Sequence, residues 1–505
     1  MSSNWLHNTP SDTGGRSGST SIQSHKENSM DDNTLALPRL AMLSQAQCER
    51  IHRASLEILR RTGVRIHHDE ALALLRETDA VIGEDNRVWL PAGLVEWALA
   101  QAPSRVPLCG RGSDQVVAAL EGSVVSFGTG SDCPNYLDPR TREHRPFSSA
   151  DIVDCIHVVD ALPELAFCMS MGIPTDTDAA NAYRQQFALM TAHTNKPVVF
   201  VCNDRSDCEA IAAMAAAAAG GWEKLRLNPS LLLYSEPSTP LQHSTTATEK
   251  LLYMATQALP IVHSPAPMMG GTAPVTLAGG LALGNAEILS SLVMHQLKRP
   301  GAPFVYGSGL HHIDMRTTIS VYGAPEFQLA RVAVAEMGRF YRLPTWGYAG
   351  HSDSCAMDEQ AAADAAFSVL VALLAGNNLV HDIGYLEAGL TTSPEMVVFT
   401  AEMISMMRRF MGGVDLDAEA LALEVIDQVG PGGDFLAADH TLRHFRQLWQ
   451  PSLFDRRRWE EWASAGSPRL GHRLREKTLA IIDSHTPEPL PAGVQQEIDY
   501  ILRTE

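Results

Sequence analysis

Tyr348, His351 and Asp353 share the stretch GYAGHSDSCAMDEQ, residues 347–360, where an apolar run gives way to an alanine-rich helical one. An aromatic ring, an imidazole and a carboxylate on one glycine-opened turn could bind a metal, move a proton or hold a small ligand. Similar groups follow other short apolar runs. Asp132 and Tyr136 come after the run near 123, Tyr234 and Glu236 after that near 230, and Tyr306, His311 and His312 after that near 303. His263 and the turn MMGGTAPVTLAGG, with Gly270 and Gly271, follow the run near 260, and His381, Asp382 and Tyr385 the run near 378.

A metal needs three or four converging ligands. His263, His311, His312, His351 and His381 are available, but no pair has the His-x-His spacing that puts two ligands on one side of a strand. No bound metal is expected. A Schiff-base lysine has no place either, since Lys196 and Lys298 precede their strands rather than follow them. What remains is a rim of hydroxyls and rings with few positive charges. Aromatic faces attract quaternary ammonium groups by about 0.5–2 kcal/mol per ring. The glycine turn precedes a helix, whose free N–H groups suit an anion such as a carboxylate.

These groups need a frame. At 505 residues and 45% apolar composition the chain can bury a large core. Its formal charge of −19 excludes a nucleic-acid or anionic-membrane partner. Eight cysteines without a Cys-x-x-Cys pair read as reduced thiols of a cytoplasmic protein. No run is apolar enough to span a bilayer. Eight strand-like runs alternate with eight helical segments from about 149 to 411, the count of a (β/α)8 barrel, whose active site lies at the carboxyl ends of the strands. The expected organisation is a disordered tail over 1–34, an N-terminal α+β cap over 35–115, a barrel over 116–412 and a C-terminal helical extension over 413–505. Barrels of this size often pair, so a homo-oligomer is one expectation.

The stretches IHRASLEILRRTGV, APMMGGTAPVTLAGGLALGNAE and GYAGHSDSCAMDEQAAADAAFSVLVALLAGNNLVHDIGYLEAGLTTSPE resemble the trimethylamine methyltransferase family, in the branch without pyrrolysine. The resemblance implies a barrel enzyme that moves a methyl group from a methylated amine, of the glycine betaine type, to the cobalt of a corrinoid carried by a separate protein. No permanently bound cofactor is implied. Under that reading Tyr348 is a wall of the amine site, and His351, the catalytic candidate, bonds the substrate's carboxylate or hydroxyl. Asp353 orients the loop or the histidine. Glu236 offsets the ammonium charge, Tyr136, Tyr306 and His312 are further binding residues, and Gly270 and Gly271 bind an anionic end. The alternatives are a metal-assisted hydrolase or lyase using His263, His312 and His381, and a betaine-binding protein without catalysis. Transfer directly to folate is a variant of the methyltransferase reading.

Overall fold

A computed structural model describes residues 38–504; the expected tail over 1–34 lies outside the described residues. Eight parallel strands alternate with eight helices. The strands are β1 (Ser126–Thr129), β2 (Leu165–Phe167), β3 (Val198–Phe200), β4 (Leu231–Ser235), β5 (Ile261–His263), β6 (Phe304–Val305), β7 (Trp346–Tyr348) and β8 (Leu379–Ile383). The helices are α1 (Ser149–Ala161), α2 (Ala182–His193), α3 (Arg205–Ala219), α4 (Thr245–Gln257), α5 (Leu277–Lys298), α6 (Pro325–Tyr341), α7 (Glu359–Ala375) and α8 (Pro394–Met411). One sheet runs β3-β4-β5-β6 and the other β7-β8-β1-β2. Single parallel bridges, Cys168 to Val198 and Tyr306 to Thr345, join β2 to β3 and β6 to β7.

Side-chain alternation sorts the strand residues into two cores, because successive side chains leave opposite faces of a strand. Phe167, Val199, Leu232, Val262, Val305 and Trp346 form an inner cluster with Tyr348 and Leu379. Phe200, Leu233, Ile261, Phe304 and Val380 belong to the outer cluster, against the helices. On β7, Trp346 and Tyr348 point inward. Gly347 points outward, where a Cβ would lie 2.8 Å from Asn377.

The hairpin Val106–Cys109 and Val116–Leu120 packs Val106, Leu108, Ala118 and Leu120 onto the inner cluster. Its ends bond the segments that precede β3 and β4: Cys109 N donates to Pro229 O (2.8 Å) and Arg111 N to Asn195 O (2.8 Å). It therefore stoppers the amino ends of the strands, and the expected domain boundary at 115/116 cuts through it. Ahead of it, the helix Gln45–Arg61 starts at a Ser44 capping box and stops at Gly63, with φ +71. It leans on α5, where Ser55 Oγ donates to Ala282 O (2.9 Å). The helix α5 is apolar and long enough to cross a bilayer, yet it is buried within the protein.

After α8, Leu470–Ser484 packs on α1 and α8, and Ala492–Thr504 on α2 and α3. Residues Val414–Thr441 belong to a separate unit containing the short helices Ala418–Leu421 and Leu423–Val429.

Candidate active site

At the carboxyl ends of the strands the inner cluster changes from aliphatic to aromatic. Trp346, His381 and Tyr348 form its floor, with the His381 ring 4.3 Å from each of the other two centroids. Tyr234 tilts over this floor, 5.4 Å from Trp346 and 5.7 Å from His381. Tyr234 and Tyr322 remain only half-buried, so their rings stay open to a ligand. Tyr322 follows β6 and stands 5.5 Å from the His351 ring.

Three carboxylates gather here. Leu232 and Tyr234 alternate inward along β4, and Glu236 continues that series; it accepts the Tyr234 hydroxyl proton at a very short separation. The Glu236 side chain is open to solvent, yet protein crowds it enough that loss of water raises its carboxyl; Asp132 and Asp382 add repulsion and Lys250 opposes it. Asp132 follows β1 and is pushed up to about 6, first by desolvation, against the Ser131 and Tyr183 hydrogen bonds. Asp382 is buried at the end of β8 with φ +77, a left-handed conformation uncommon outside glycine. That turn breaks the strand alternation and lets both His381 and Asp382 reach the same place. Asp382 Oδ1 is 3.1 Å from His381 Nε2, and Oδ2 is 3.6 Å from His351 Nδ1. His381 Nδ1 also faces an acceptor, Gly347 O at 3.0 Å. Burial holds the His381 imidazole below its ordinary value, against the opposing pull of Asp382 and of the Gly347 carbonyl.

Two cations correct the expectation of a pocket poor in positive charge. Arg331 of α6 is buried, donates to Ser308 O and Leu310 O, and lies 4.6 Å over the Tyr348 ring and 4.4 Å over Phe327. Lys250 of α4 donates to Cys202 O (2.8 Å) and acts electrostatically on Asp132 and Glu236. Sequence reasoning looked only after strands and missed both. The signal for Arg331 was present: a guanidinium four residues after Phe327, within the otherwise apolar stretch LARVAVA, residues 329–335.

The site residues expected from sequence separate accordingly. His351 is fully buried in the aromatic region, beside Phe327 (5.1 Å) and Gln328, whose Nε2 is 3.4 Å from its Nε2. Tyr348 is in the floor, but Arg331 takes one ring face and Ser264 Oγ meets its hydroxyl at 3.2 Å; the open wall is Tyr234 and Tyr322 instead. Tyr306 points outward, where its hydroxyl donates to Asn285 (2.8 Å) and its ring meets Tyr341 of α6. Tyr136 also belongs to the outer core, between Phe147 and the Arg145 guanidinium. Tyr306 departs from the expected binding role because strand parity turns it away, and Tyr136 because it lies in the hairpin Asn135–Leu137 with His144–Pro146, off the eight strands. His312 is half-buried in the hairpin His311–Ile313 with Ser320–Val321, and it is His311 whose ring approaches Tyr322 (6.3 Å). Gly270 N donates to Ala273 O and Gly271 N to Met268 O. These N–H groups close a tight turn and are not free for an anion, and α5 begins only at Leu277. The alternative metal trio does not converge: His263 lies outward, stacked 6.5 Å from His243, whereas His381 lies inward.

Asp353 accepts from Tyr322 N (2.8 Å) and Gly323 N (2.9 Å), and so ties the Tyr322 segment to the 347–360 loop. Asp353→Ala is expected to release that tie, leaving two amides without a charged acceptor at a cost of about 1–3 kcal/mol locally. Amide hydrogen exchange at 322 and 323 checks it. Faster exchange there, with the strands unchanged, is the predicted result.

A family model described as trimethylamine methyltransferase matches residues 12–505. The chain is 33% identical over 466 residues to a trimethylamine methyltransferase of Desulfitobacterium hafniense, covering 92% of this chain and 93% of that protein. It is 28% identical over 469 residues to a glycine betaine methyltransferase of the same species, covering 92% and 97%. A solved monomethylamine methyltransferase of Methanosarcina barkeri has the same overall fold, with a TM-score of 0.50 at 12% identity, over 92% of this chain and 89% of that one.

Proposed function

The chain belongs to the trimethylamine methyltransferase family and is a methyltransferase built only from the twenty standard amino acids; from that premise we propose that it removes a methyl group from a quaternary or tertiary methylated amine of the glycine betaine type. The methyl acceptor is the cobalt of a corrinoid, brought as a co-substrate by a separate protein. The frame in this reading is a (β/α)8 barrel, closed at the two single bridges between the sheets.

One observation carries the proposal: the open rings of Tyr234 and Tyr322 stand beside Glu236, Asp132 and Asp382 above an aromatic floor. Rings and carboxylates together favour a cation that cannot give up its charge. A quaternary nitrogen leaves as a neutral tertiary amine, so the protein need supply neither a nucleophile nor a general acid. Its residues hold the cation, exclude water and fix the direction of approach. His351, braced by Gln328 and Phe327, faces Asp382 and positions that carboxylate. Around the entrance Val275, Met315 and Ile319 are exposed apolar side chains, suited to contact with a protein that delivers the acceptor.

The test mixes enzyme, reduced corrinoid and a panel of quaternary amines, and follows the corrinoid spectrum for methylation. Methylation with at least one amine is expected, and none with any amine overturns the proposal. Affinity also depends on pH. The Asp132 carboxyl, near 6, is ionised at pH 7.5 and largely neutral at pH 5. A unit charge about 8 Å away at an effective dielectric constant of about 20 is worth about 2 kcal/mol. Cation binding should therefore weaken about 10- to 30-fold as pH falls through 6, measured by calorimetry.

A further inference from the structure

Glu236 differs from the other two carboxylates in a way that bears on which amines fit. Asp382 faces His351 and His381, and Asp132 is held by Ser131 and Tyr183. Glu236 uses one oxygen, Oε1, for the Tyr234 hydroxyl, and its side chain is open to solvent at the edge of the ring-lined seat. Its second oxygen has no hydrogen-bond partner among the described residues. No quaternary ammonium can use such an acceptor, because it has no N–H. A protonated tertiary amine can: it carries the same charge and nearly the same size, with one N–H in place of a methyl group.

Resting on the amine-binding reading above, we propose that Glu236 is the residue that determines specificity between N–H and N–CH3, accepting the proton-bearing end of a tertiary ammonium through its free oxygen. The site then holds two classes of cation by two means. The rings and the summed negative charge hold both, and Glu236 adds a charge-assisted hydrogen bond for the tertiary class alone. The same residue retains the first product. Demethylation of a quaternary donor yields a tertiary amine, which takes up a proton at neutral pH and so becomes the form that Glu236 recognises. Lys250 acts electrostatically on both Glu236 and Asp132 and opposes the rise that loss of water imposes on their carboxyls.

Calorimetric titration of the full-length protein with tetramethylammonium and with trimethylammonium, at pH 7.5, tests this. The wild type is expected to bind both. Glu236→Gln removes the charge for both ligands but the anionic acceptor only for the second, so trimethylammonium should lose about tenfold or more beyond whatever tetramethylammonium loses. Equal losses overturn the inference, and so does a wild type that binds tetramethylammonium alone. If neither cation binds the wild type, the amine-binding reading itself fails. A measurement on unmodified protein stands beside the variant. Protonating Glu236 in acid should lower trimethylammonium affinity more than tetramethylammonium affinity, and a constant ratio across pH 4.5–7.5 counts against the proposal.

Discussion

Asp382→Asn is expected to lower the affinity for a quaternary amine about 100-fold while leaving the protein folded. The carboxylate is buried among rings, between His351 and His381. Removing a unit charge about 5 Å from a bound cation, at an effective dielectric constant of about 20, costs about 3 kcal/mol. Asparagine is among the few residues that accept a left-handed backbone, so φ +77 need not change. Calorimetry on the variant, with circular dichroism to verify folding, gives the answer. A loss under about threefold would show that the cation is held elsewhere.

Gly350→Ala is expected to destabilise the protein by about 2–5 kcal/mol. Gly350 has φ +73, and a Cβ there would come within 2.4 Å of the Ile383 side chain and 3.2 Å of the Ile383 backbone. The backbone term is about 1–2 kcal/mol, and crowding in a packed core adds about 1–3. Because Gly350 immediately precedes His351, the strain falls on the residue that faces Asp382. Gly493→Ala is the matched control: it lies in a helix, and a Cβ meets nothing within 4 Å. Urea unfolding of both variants should show a lower midpoint for the first and an unchanged or slightly higher one for the second.

Much of the scaffold was legible in the chain, because continuous apolar runs and amphipathic segments carry different periods. PFVYGSG and PTWGYAG mark β6 and β7, and Pro325 opens α6 as a proline at a helix start should. The 347–360 loop and the VHD of β8 also stood out as chemical. What escaped was the direction of individual side chains. Tyr306 sits at a strand end, yet a shift of one position in a period-two element sends its ring outward, and Tyr136 belongs to a hairpin beyond β1. Asp382 was named but given no role; alternation places it opposite His381, and only a left-handed residue brings the two together. Tyr322, Arg331 and Lys250 reach the site from a hairpin and from helices, where a rule based on strand ends does not look. The glycine turn at 270–271 has the composition of an anion site, but its N–H groups are used internally, a distinction that lies in hydrogen bonds rather than in residue types.

The most direct trial of the central claim compares glycine betaine with its carbon isostere, in which a carbon replaces the quaternary nitrogen and the carboxylate is kept, by calorimetric titration of the wild-type protein. Shape and apolar area are the same in the two ligands, so only the permanent positive charge differs. The ring-and-carboxylate seat predicts that betaine binds at least about 30-fold more tightly. Equal binding, or preference for the carbon isostere, would contradict a site built to hold a cationic methyl donor.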